Sequence, residues 1–440
     1  MELRDLVVTP LWLIILYVIA YVIRPYVTDG INRRYFFPAL TVKMIGALAV
    51  GFIYQFYYHG GDTFNYHTHG SRHIWEAIMD SSNGLSLLFG GDDQGLYKYY
   101  SQIPFYYDKA SFFIIRIAAF FDLLTFSSYS ATAVLFAGVS FVGMWMFFKA
   151  FYEQFPHLHK WIALAAFFIP SVFFWGSGLL KDTITLACVG ALTLAMKRIL
   201  IDKKFQVGYI VLLLIGAFVI YSVKKYILLC FLPAAILWVY FGNLSKIRSL
   251  AMRILLVPFV VIVVAGSGYW AVLKTGEDDA RYSLSKIPET ARITAYDIAF
   301  QTGRGAGSTY TLGKLDGTFG NMISKAPQAI NVALFRPYVW EAGNPLMMVS
   351  ALESLIVFLF TGYVFFIRRY VLSKMLSDPN IIFCLVFSIT FAFAVGISTY
   401  NFGSLSRYRI PLLPFYVMAL ALMFDYSKSE RNVEVLEETE

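Results

Sequence analysis

Charged residues are scarce in this sequence. Only 15% of its 440 residues are Asp, Glu, Lys or Arg, well below the ~25% of ordinary globular proteins. Hydrophobic residues make up 58% of the chain, and the mean hydropathy is +0.62. No polar stretch is long enough to fold alone as a soluble domain. The composition therefore excludes a soluble globular protein and indicates a polytopic membrane protein.

Cysteines and nucleotide-binding motifs are also lacking. The three cysteines, Cys188, Cys230 and Cys384, fall inside apolar segments, so no extracytoplasmic disulfide framework is available. No Walker motif is present, which leaves ATP without an obvious binding site. The net charge of +8 comes mostly from short basic gaps between apolar segments, a pattern that suits anionic membrane lipids rather than nucleic acid.

The basic gaps predict a topology. Taking about 20 apolar residues per crossing, we predict an all-α protein with about eleven transmembrane helices. They lie near 8–24, 37–57, 128–148, 161–178, 183–197, 207–223, 226–242, 254–273, 345–367, 379–399 and 408–424. The positive-inside rule places the basic gaps in the cytoplasm and the amino terminus outside. The chain then forms one transmembrane domain, 1–425, and an acidic cytoplasmic tail, 426–440.

Two long extracytoplasmic loops follow from this topology, at 58–127 and 274–344. Segment 110–126 is apolar enough to cross the membrane but carries Arg116 and Asp122. A crossing there would move every later basic gap outside, so we interpret it as an interfacial helix. The second loop is rich in glycine, which is typical of either a mobile lid or a flexible surface loop.

The first candidate site is the sequence from Gly60 to His67. Two glycines allow a sharp turn that can bring Asp62 over the membrane surface as a general base, with Tyr66 and His67 in support. The alternative is a turn in which Asp62 caps a helix that begins at Thr63. Nearby histidines, His59, His67 and His69, are candidate ligands for a divalent metal, although their spacing matches no tight motif.

Three further groups of outer charges are candidates for binding a lipid phosphate. Lys181 can hold a phosphate while Asp182 caps the next helix. Arg336 can bind phosphate next to Trp340, or it can form an ion pair with Glu341. The remaining pair, Arg407 and Arg409, opens the last predicted span and runs against the positive-inside trend, which favours an anionic ligand.

A carboxylate base and several cations on one face of a membrane protein favour group transfer from a lipid-phosphate donor. The acceptor hydroxyl needs a base, and the leaving phosphate needs positive charge. Two alternatives stay open. A polysaccharide polymerase of the O-antigen or exopolysaccharide type would hold lipid pyrophosphate with arginines, and a transporter would keep its charges near the membrane midplane.

The motifs also resemble those of a family. The Gly-Gly-Asp62 turn with Tyr66 and His67 resembles the acidic loop of the C-type multi-spanning glycosyltransferases (GT-C). The segments 170–182 and 407–414 are similar to patterns common in bacterial members. In that family the acidic loop normally follows the first span, whereas here it follows the second predicted span.

The resemblance has several implications for function. It implies a multi-pass enzyme of the bacterial cytoplasmic membrane, active on the extracytoplasmic side, with Asp62 as base in an inverting transfer. The donor would be a polyprenyl-phosphate-linked sugar and the acceptor a glycan, a lipid or a protein. No particular cofactor follows from the sequence, and a divalent metal is the one candidate.

Overall fold

The computed structural model describes residues 2–91, 95–244, 286–303, 308–367 and 378–437, together with 266 and 283. These described residues are almost entirely helical, and their only β-type pairing is an isolated bridge between Thr309 and Asn401. An all-helical chain is expected in lipid, because a helix satisfies its own backbone hydrogen bonds. The prediction of an all-α membrane protein is therefore confirmed.

The helices are numbered in chain order. The first half contains α1 Leu3–Val27, α2 Arg33–Phe56, α3 Asp62–Tyr66, α4 Arg72–Asp80, α5 Leu85–Phe89, α6 Tyr97–Tyr100, α7 Lys109–Thr125, α8 Tyr129–Tyr152, α9 His159–Ala163 and α10 Pro170–Trp175. The second half contains α11 Lys181–Met196, α12 Val207–Val223, α13 Lys225–Leu244, α14 Ile287–Gly303, α15 Phe319–Ser324, α16 Ala326–Phe335, α17 Pro345–Gly362, α18 Pro379–Thr399, α19 Phe402–Tyr408 and α20 Leu412–Glu437.

Seven helical segments among the described residues are long and apolar enough to cross a membrane. They are Leu3–Val27, Arg33–Phe56, Tyr129–Tyr152, Lys181–Ile201, Lys225–Asn243, Pro345–Phe366 and Pro379–Thr399. An eighth span is possible where α19 and the part of α20 up to Tyr426 form a pair bent by 67°. The predicted span 207–223 corresponds to the shorter apolar helix α12, and the predicted span 254–273 lies outside the described residues.

The predicted continuous span at 161–178 is wrong. The chain forms the short helix α9, a π-helical turn at Leu164–Phe168 and the separate helix α10. Pro170 explains the break, because proline removes a backbone donor and Ile169 before it is extended. Lys43 of α2 then donates to the carbonyl of Gly176 at 2.9 Å, just past the carboxyl end of α10.

The centre of the bundle is formed by α8 and α11, whose membrane-length windows are 78% and 72% buried, against 11% for α1. Two glycines let the central helices approach closely. A Cβ atom at Gly143 would lie 2.3 Å from the carbonyl oxygen of Ala187, and one at Gly190 would lie 2.1 Å from that of Gly143. Such contacts are typical of membrane helix packing.

Candidate functional site

Four charged side chains from four separate segments meet at one end of the bundle. We call Asp62, Asp182, Lys224 and Arg407 the charge cluster. Asp62 begins α3, Asp182 is the second residue of α11, Lys224 lies between α12 and α13, and Arg407 is near the end of α19. All four therefore sit at helix ends. The 16-residue helix α11 alone extends about 24 Å away from them.

Arg407 is the centre of this cluster. Its Nε donates to Oδ2 of Asp182 at 2.6 Å, and its Nη1 donates to Oδ2 of Asp62 at 2.7 Å. Lys224 donates from Nζ to the other carboxylate oxygen of Asp182. Two carboxylates thus face two cations. The balance is what a low-dielectric site requires, because an unpaired buried charge is strongly destabilising.

The members of the cluster differ in exposure. The side chain of Asp182 is fully buried, and those of Lys224 and Arg407 are each 9% exposed, whereas the side chain of Asp62 is 38% exposed. Nη2 of Arg407 hydrogen-bonds to none of the described residues. Asp62 and this one guanidinium nitrogen are therefore the groups of the cluster that remain available to a ligand.

The two glycines before Asp62 form the sharp turn that was predicted. Gly61 adopts a φ of 119°, and a Cβ atom there would lie 2.8 Å from the ring of Tyr54, so only glycine fits. The following helix begins at Asp62 itself with no side-chain cap bond, which means that Asp62 is not used as a cap for Thr63. Its carboxylate is directed to Arg407 instead.

Asp182 is not a helix cap either, contrary to our prediction. The helix begins at Lys181, its N-cap residue is Leu180, and no side-chain cap bond is present. Asp182 lies in the first turn, where the helix dipole favours a carboxylate, and both of its oxygens are used by Lys224 and Arg407.

Lys181 lies beside the cluster and has its own carboxylate. Its Nζ is 3.2 Å from Oδ2 of Asp108, and it lies 6.0 Å from the ring centroid of Tyr66. Burial acts to raise the pKa of Asp108, but hydrogen bonds from Ser111 and the Lys181 charge outweigh it and hold that pKa below its usual value. Asp108 was not among the predicted site residues. It is the N-cap of α7, where its side chain accepts from the backbone of Ser111, and an aspartate just before an apolar helix is the signal that could have identified it.

A cavity of about 1110 Å³ opens beside the charge cluster. Its charged lining residues are Asp62, Arg407 and Glu353, and His59 also lines it. Aromatic and small polar side chains form most of the remaining wall: Tyr54, Tyr57, Tyr58, Phe173, Phe174, Trp175, Phe402, Tyr408, Ser171, Ser308, Asn344, Ser350, Asn401, Ser404 and Ser406. Lys181, Lys224, Arg336 and Arg409 do not line it.

Arg409 points into the protein rather than into this cavity. It donates to Glu353 at 3.1 Å, to Oγ of Ser354 at 2.9 Å and to the carbonyl of Arg336 at 2.8 Å. Glu353 also accepts from the backbone and hydroxyl of Ser171, at 2.7 and 2.8 Å. These bonds tie α10, α17 and the α19–α20 bend together. Arg409 was predicted to bind phosphate, and its 1% exposure contradicts that role.

Arg336 forms the ion pair that was the alternative to phosphate binding. Its Nε lies 3.0 and 3.1 Å from the two oxygens of Glu341, which also accepts from the backbone of Tyr338 at 2.8 Å. Burial acts to raise the pKa of Glu341, but these hydrogen bonds lower it overall. Trp340 is 82% exposed and stacks on Tyr338 with ring centroids 4.9 Å apart.

The histidines do not gather into a metal site. His67 is buried, and its Nε2 lies 3.3 Å from Oδ1 of Asp122. The Asp122 carboxylate accepts from Ser71 through Oδ2 and from Thr132 through Oδ1. Within the described part of the chain, no group of three or more His, Cys, Asp or Glu side chains could hold a metal ion. Metal binding through His59, His67 or His69 stays a prediction without an assembled ligand set.

Comparison with protein-family models, with curated proteins and with solved structures found no match for this chain. The functional argument therefore depends on the geometry of the charge cluster and its cavity.

Proposed function

We propose that this protein is an integral membrane glycosyltransferase that moves a sugar from a polyprenyl-phosphate donor to an acceptor hydroxyl on the extracytoplasmic side. The observation that carries the proposal is the pairing of Asp62 with Arg407 at the wall of a large cavity, at 2.7 Å. A carboxylate and a guanidinium in contact supply the two groups that this reaction needs, a base and a stabiliser of the leaving phosphate.

The chemistry can be written with these two residues. Asp62 takes the proton from the acceptor hydroxyl, whose oxygen forms a bond to the anomeric carbon of the donor sugar. The bond from that carbon to the lipid-phosphate oxygen breaks, and its electron pair leaves on the phosphate. Asp62 loses its negative charge as the phosphate gains one. Arg407 can therefore exchange one anionic partner for another while the total charge of the cluster and the phosphate stays the same.

Asp182 and Lys224 would keep Arg407 in place during this exchange. The Nε bond to Asp182 fixes one edge of the guanidinium, while Nη2 stays available to a phosphate oxygen. We assign Arg407 as the principal phosphate-binding residue and Lys181, paired with Asp108 nearby, as an auxiliary one. Arg336 is paired with Glu341 and Arg409 with Glu353, and neither arginine lines the cavity, so we assign both to the scaffold.

The position of the cluster supports transfer over transport. Its members lie at helix ends, where a phosphate headgroup meets the membrane surface, whereas a transporter holds its substrate near the midplane. One observation favours a transporter as the second candidate: α19 and α20 form a broken helix pair bent by 67°, with Arg407 and Arg409 close to the break. Discontinuous helices of this kind bind substrate in several transporters.

The test is sugar transfer by the purified protein in lipid nanodiscs. The donors are a panel of radiolabelled polyprenyl-phosphate sugars and pyrophosphate-linked oligosaccharides, and the acceptors are extracted envelope glycans, lipids and proteins. We expect transfer from a monophosphate donor and a loss of about 100- to 10,000-fold in Asp62→Asn, the range for removal of a general base. The Asp62→Asn protein should remain folded because Arg407 keeps its bond to Asp182.

Other results would overturn this assignment. Chain growth only from pyrophosphate-linked donors would identify a polysaccharide polymerase. Uptake of an anionic solute into sealed vesicles, with no transfer from any donor, would identify a transporter. A matched control is Asp80→Asn, because Asp80 accepts from Tyr99 at 3.1 Å outside the cavity and should leave transfer unchanged.

A further inference from the structure

The chemical class of the acceptor follows from what lines the cavity. The cavity pairs exposed aromatic rings with uncharged hydroxyl and amide groups, and Arg407, the one Lys or Arg among its described lining residues, is already matched by a carboxylate. We propose that this cavity is the acceptor site and that it binds an uncharged carbohydrate chain rather than an anionic glycan, a peptide or a lipid. Its role as an acceptor site rests on the function proposed above.

The aromatic wall is the first support. Tyr57 and Tyr58 are 51% and 45% exposed, and their rings lie 5.1 Å apart at an angle of 77°. Both directly precede the turn that carries Asp62. A tyrosine offers a flat apolar face with a polar edge, which suits a sugar ring. A chain that lies against these rings would end next to the proposed base.

Uncharged polar groups surround the aromatic wall. Oδ1 of Asn344 accepts a hydrogen bond from the backbone N–H of Met347, which leaves the NH₂ of Asn344 to donate to a ligand. Asn401 donates to Ser308 at 2.9 Å, and Ser404 and Ser406 follow it along the wall. Neutral donors and acceptors from three segments of the chain match the hydroxyl groups of a carbohydrate. Asn401 also accepts from the backbone of Ser404, and Ser406 donates to the carbonyl of Gly403, so the Asn344 amide NH₂ is the group that a lipid tail would leave without a partner.

The charge inventory leaves no cation for an anionic acceptor chain, because Nη2 of Arg407 is assigned to the single phosphate of the donor. Glu353 is neutralised by Arg409 behind the wall, and Arg407 is shared between Asp62 and Asp182. No described cation that lines the cavity is free of a carboxylate. An acidic glycan would place its carboxylates next to Asp62 without a counter-charge. An uncharged chain avoids this repulsion.

The size of the cavity indicates a chain rather than a single sugar. Its volume of about 1110 Å³ exceeds the ~300–1,000 Å³ that is typical of sites for small ligands.

Binding can be measured separately from transfer, by saturation-transfer NMR on the wild-type protein in nanodiscs without donor. The probes are neutral hexasaccharides of glucose, mannose and galactose, a hexasaccharide of galacturonic acid, and a water-soluble short-chain polyprenol. We expect saturable binding of at least one neutral hexasaccharide and none of the uronic acid chain. Tyr58→Ala should weaken this binding about 3- to 10-fold. The matched control is Tyr107→Ala, which should leave binding unchanged because Tyr107 is 88% exposed and does not line the cavity.

Asp62→Asn separates a neutral ligand from an anionic one. This variant releases Arg407 from one carboxylate, so it should strengthen binding of an anion that contacts Arg407. For an uncharged chain we expect a change of less than about threefold, because no charge is exchanged. Tighter binding of the uronic acid chain than of every neutral chain to the wild type would overturn the proposal. Binding of the polyprenol alone, or of no probe, would also overturn it.

The outcomes separate this inference from the proposed function. Transfer from a polyprenyl-phosphate donor onto a lipid or protein, with no neutral oligosaccharide bound, leaves the glycosyltransferase assignment intact and removes the carbohydrate acceptor. Saturable oligosaccharide binding that depends on Tyr58, with no transfer from any donor, keeps the carbohydrate site and removes the proposed reaction.

Discussion

Arg407 and Arg409 are two residues apart in the sequence and have opposite environments. Arg407 lines the cavity and contacts the partly exposed Asp62, whereas Arg409 is 1% exposed and bonds to Glu353, Ser354 and the carbonyl of Arg336. Both lie near the bend between α19 and α20: Arg407 is in the last turn of α19, and Arg409 directly follows that helix. A buried charge at this end of the bundle can therefore serve packing alone, and contact with the cavity is what distinguishes Arg407 as a candidate site residue.

The largest effect on folding is expected for Arg409→Met. This change leaves Glu353 buried with no cation, a loss of about 3–5 kcal/mol when one member of a buried ion pair is removed. The yield of monodisperse protein and its melting temperature should both fall. Size-exclusion chromatography and thermal melting in detergent measure this directly.

The double variant Arg409→Met/Glu353→Gln is the control for that change. It removes both charges, so it should recover part of the lost stability. If Arg409→Met instead melts like the wild type but has lost transfer, Arg409 belongs to the active site rather than to the scaffold.

The next effect is on activity and concerns Arg407→Lys. Lysine keeps the positive charge but loses the planar fork that contacts Asp62 and Asp182 together. We expect transfer to fall about 100- to 1,000-fold, as for loss of one donor to a developing anion, while the melting temperature falls less than in Arg409→Met. Steady-state rates and thermal melting on the same preparations test both parts.

Equal damage to folding and activity in Arg407→Lys would contradict the distinction between the two arginines. It would place Arg407 in the scaffold together with Arg409 and leave the cavity without a phosphate-binding residue.

A smaller effect is expected at Lys181, which is paired with Asp108 beside the cluster. Lys181→Gln should raise the KM for a polyprenyl-phosphate donor by about tenfold or less, because one auxiliary cation is worth roughly 1 kcal/mol at a partly exposed site. The kcat should change little. A fall in kcat as large as in Arg407→Lys would show that Lys181, rather than Arg407, meets the leaving phosphate.

The smallest effect concerns Arg336, the third arginine in the comparison, and it depends on pH. The folded-state pKa of Glu341 is lowered, so the ion pair stabilises the loop above the unfolded carboxyl pKa of ~4.3. That stability is lost as the pH falls through the lower folded value. The fluorescence of the protein, including exposed Trp340, should shift below about pH 4 in the wild type. The shift should be absent in Glu341→Gln.

Parts of this site could be predicted from the sequence. The alternation of basic gaps predicted that Asp62, Asp182 and Arg407 lie on the same outer side. In the structure, both carboxylates accept hydrogen bonds from the Arg407 guanidinium, at 2.6 Å for Asp182 and 2.7 Å for Asp62. The glycine turn before Asp62 was also predicted correctly, because two adjacent glycines favour a backbone conformation that residues with a side chain rarely adopt. The function itself stays a proposal.

Other parts were missed, each for a physical reason. Glu353 lies inside a predicted span, and an ionisable residue there is a signal that could have found it. Its partner could not be chosen, since Ser171 and Arg409 reach it from 182 and 56 residues away. The break at Pro170 was hidden by an apolar run that looked long enough to cross. The helix-cap roles considered for Asp62 and Asp182 were wrong, because both carboxylates bind Arg407 instead of the backbone N–H groups of their own helices.

The membrane class and the helical architecture follow from the sequence alone, because lipid tolerates few ionisable groups and only a backbone that satisfies its own hydrogen bonds. The scarcity of charge also limits the candidates for chemistry to a small set of residues. Which of these charges are paired depends on the fold. Arg407 contacts a carboxylate 345 residues earlier in the chain, and Arg409, with the same side chain, is enclosed by α17. Helix packing determines whether an arginine side chain lines the cavity, and its position in the sequence does not predict this.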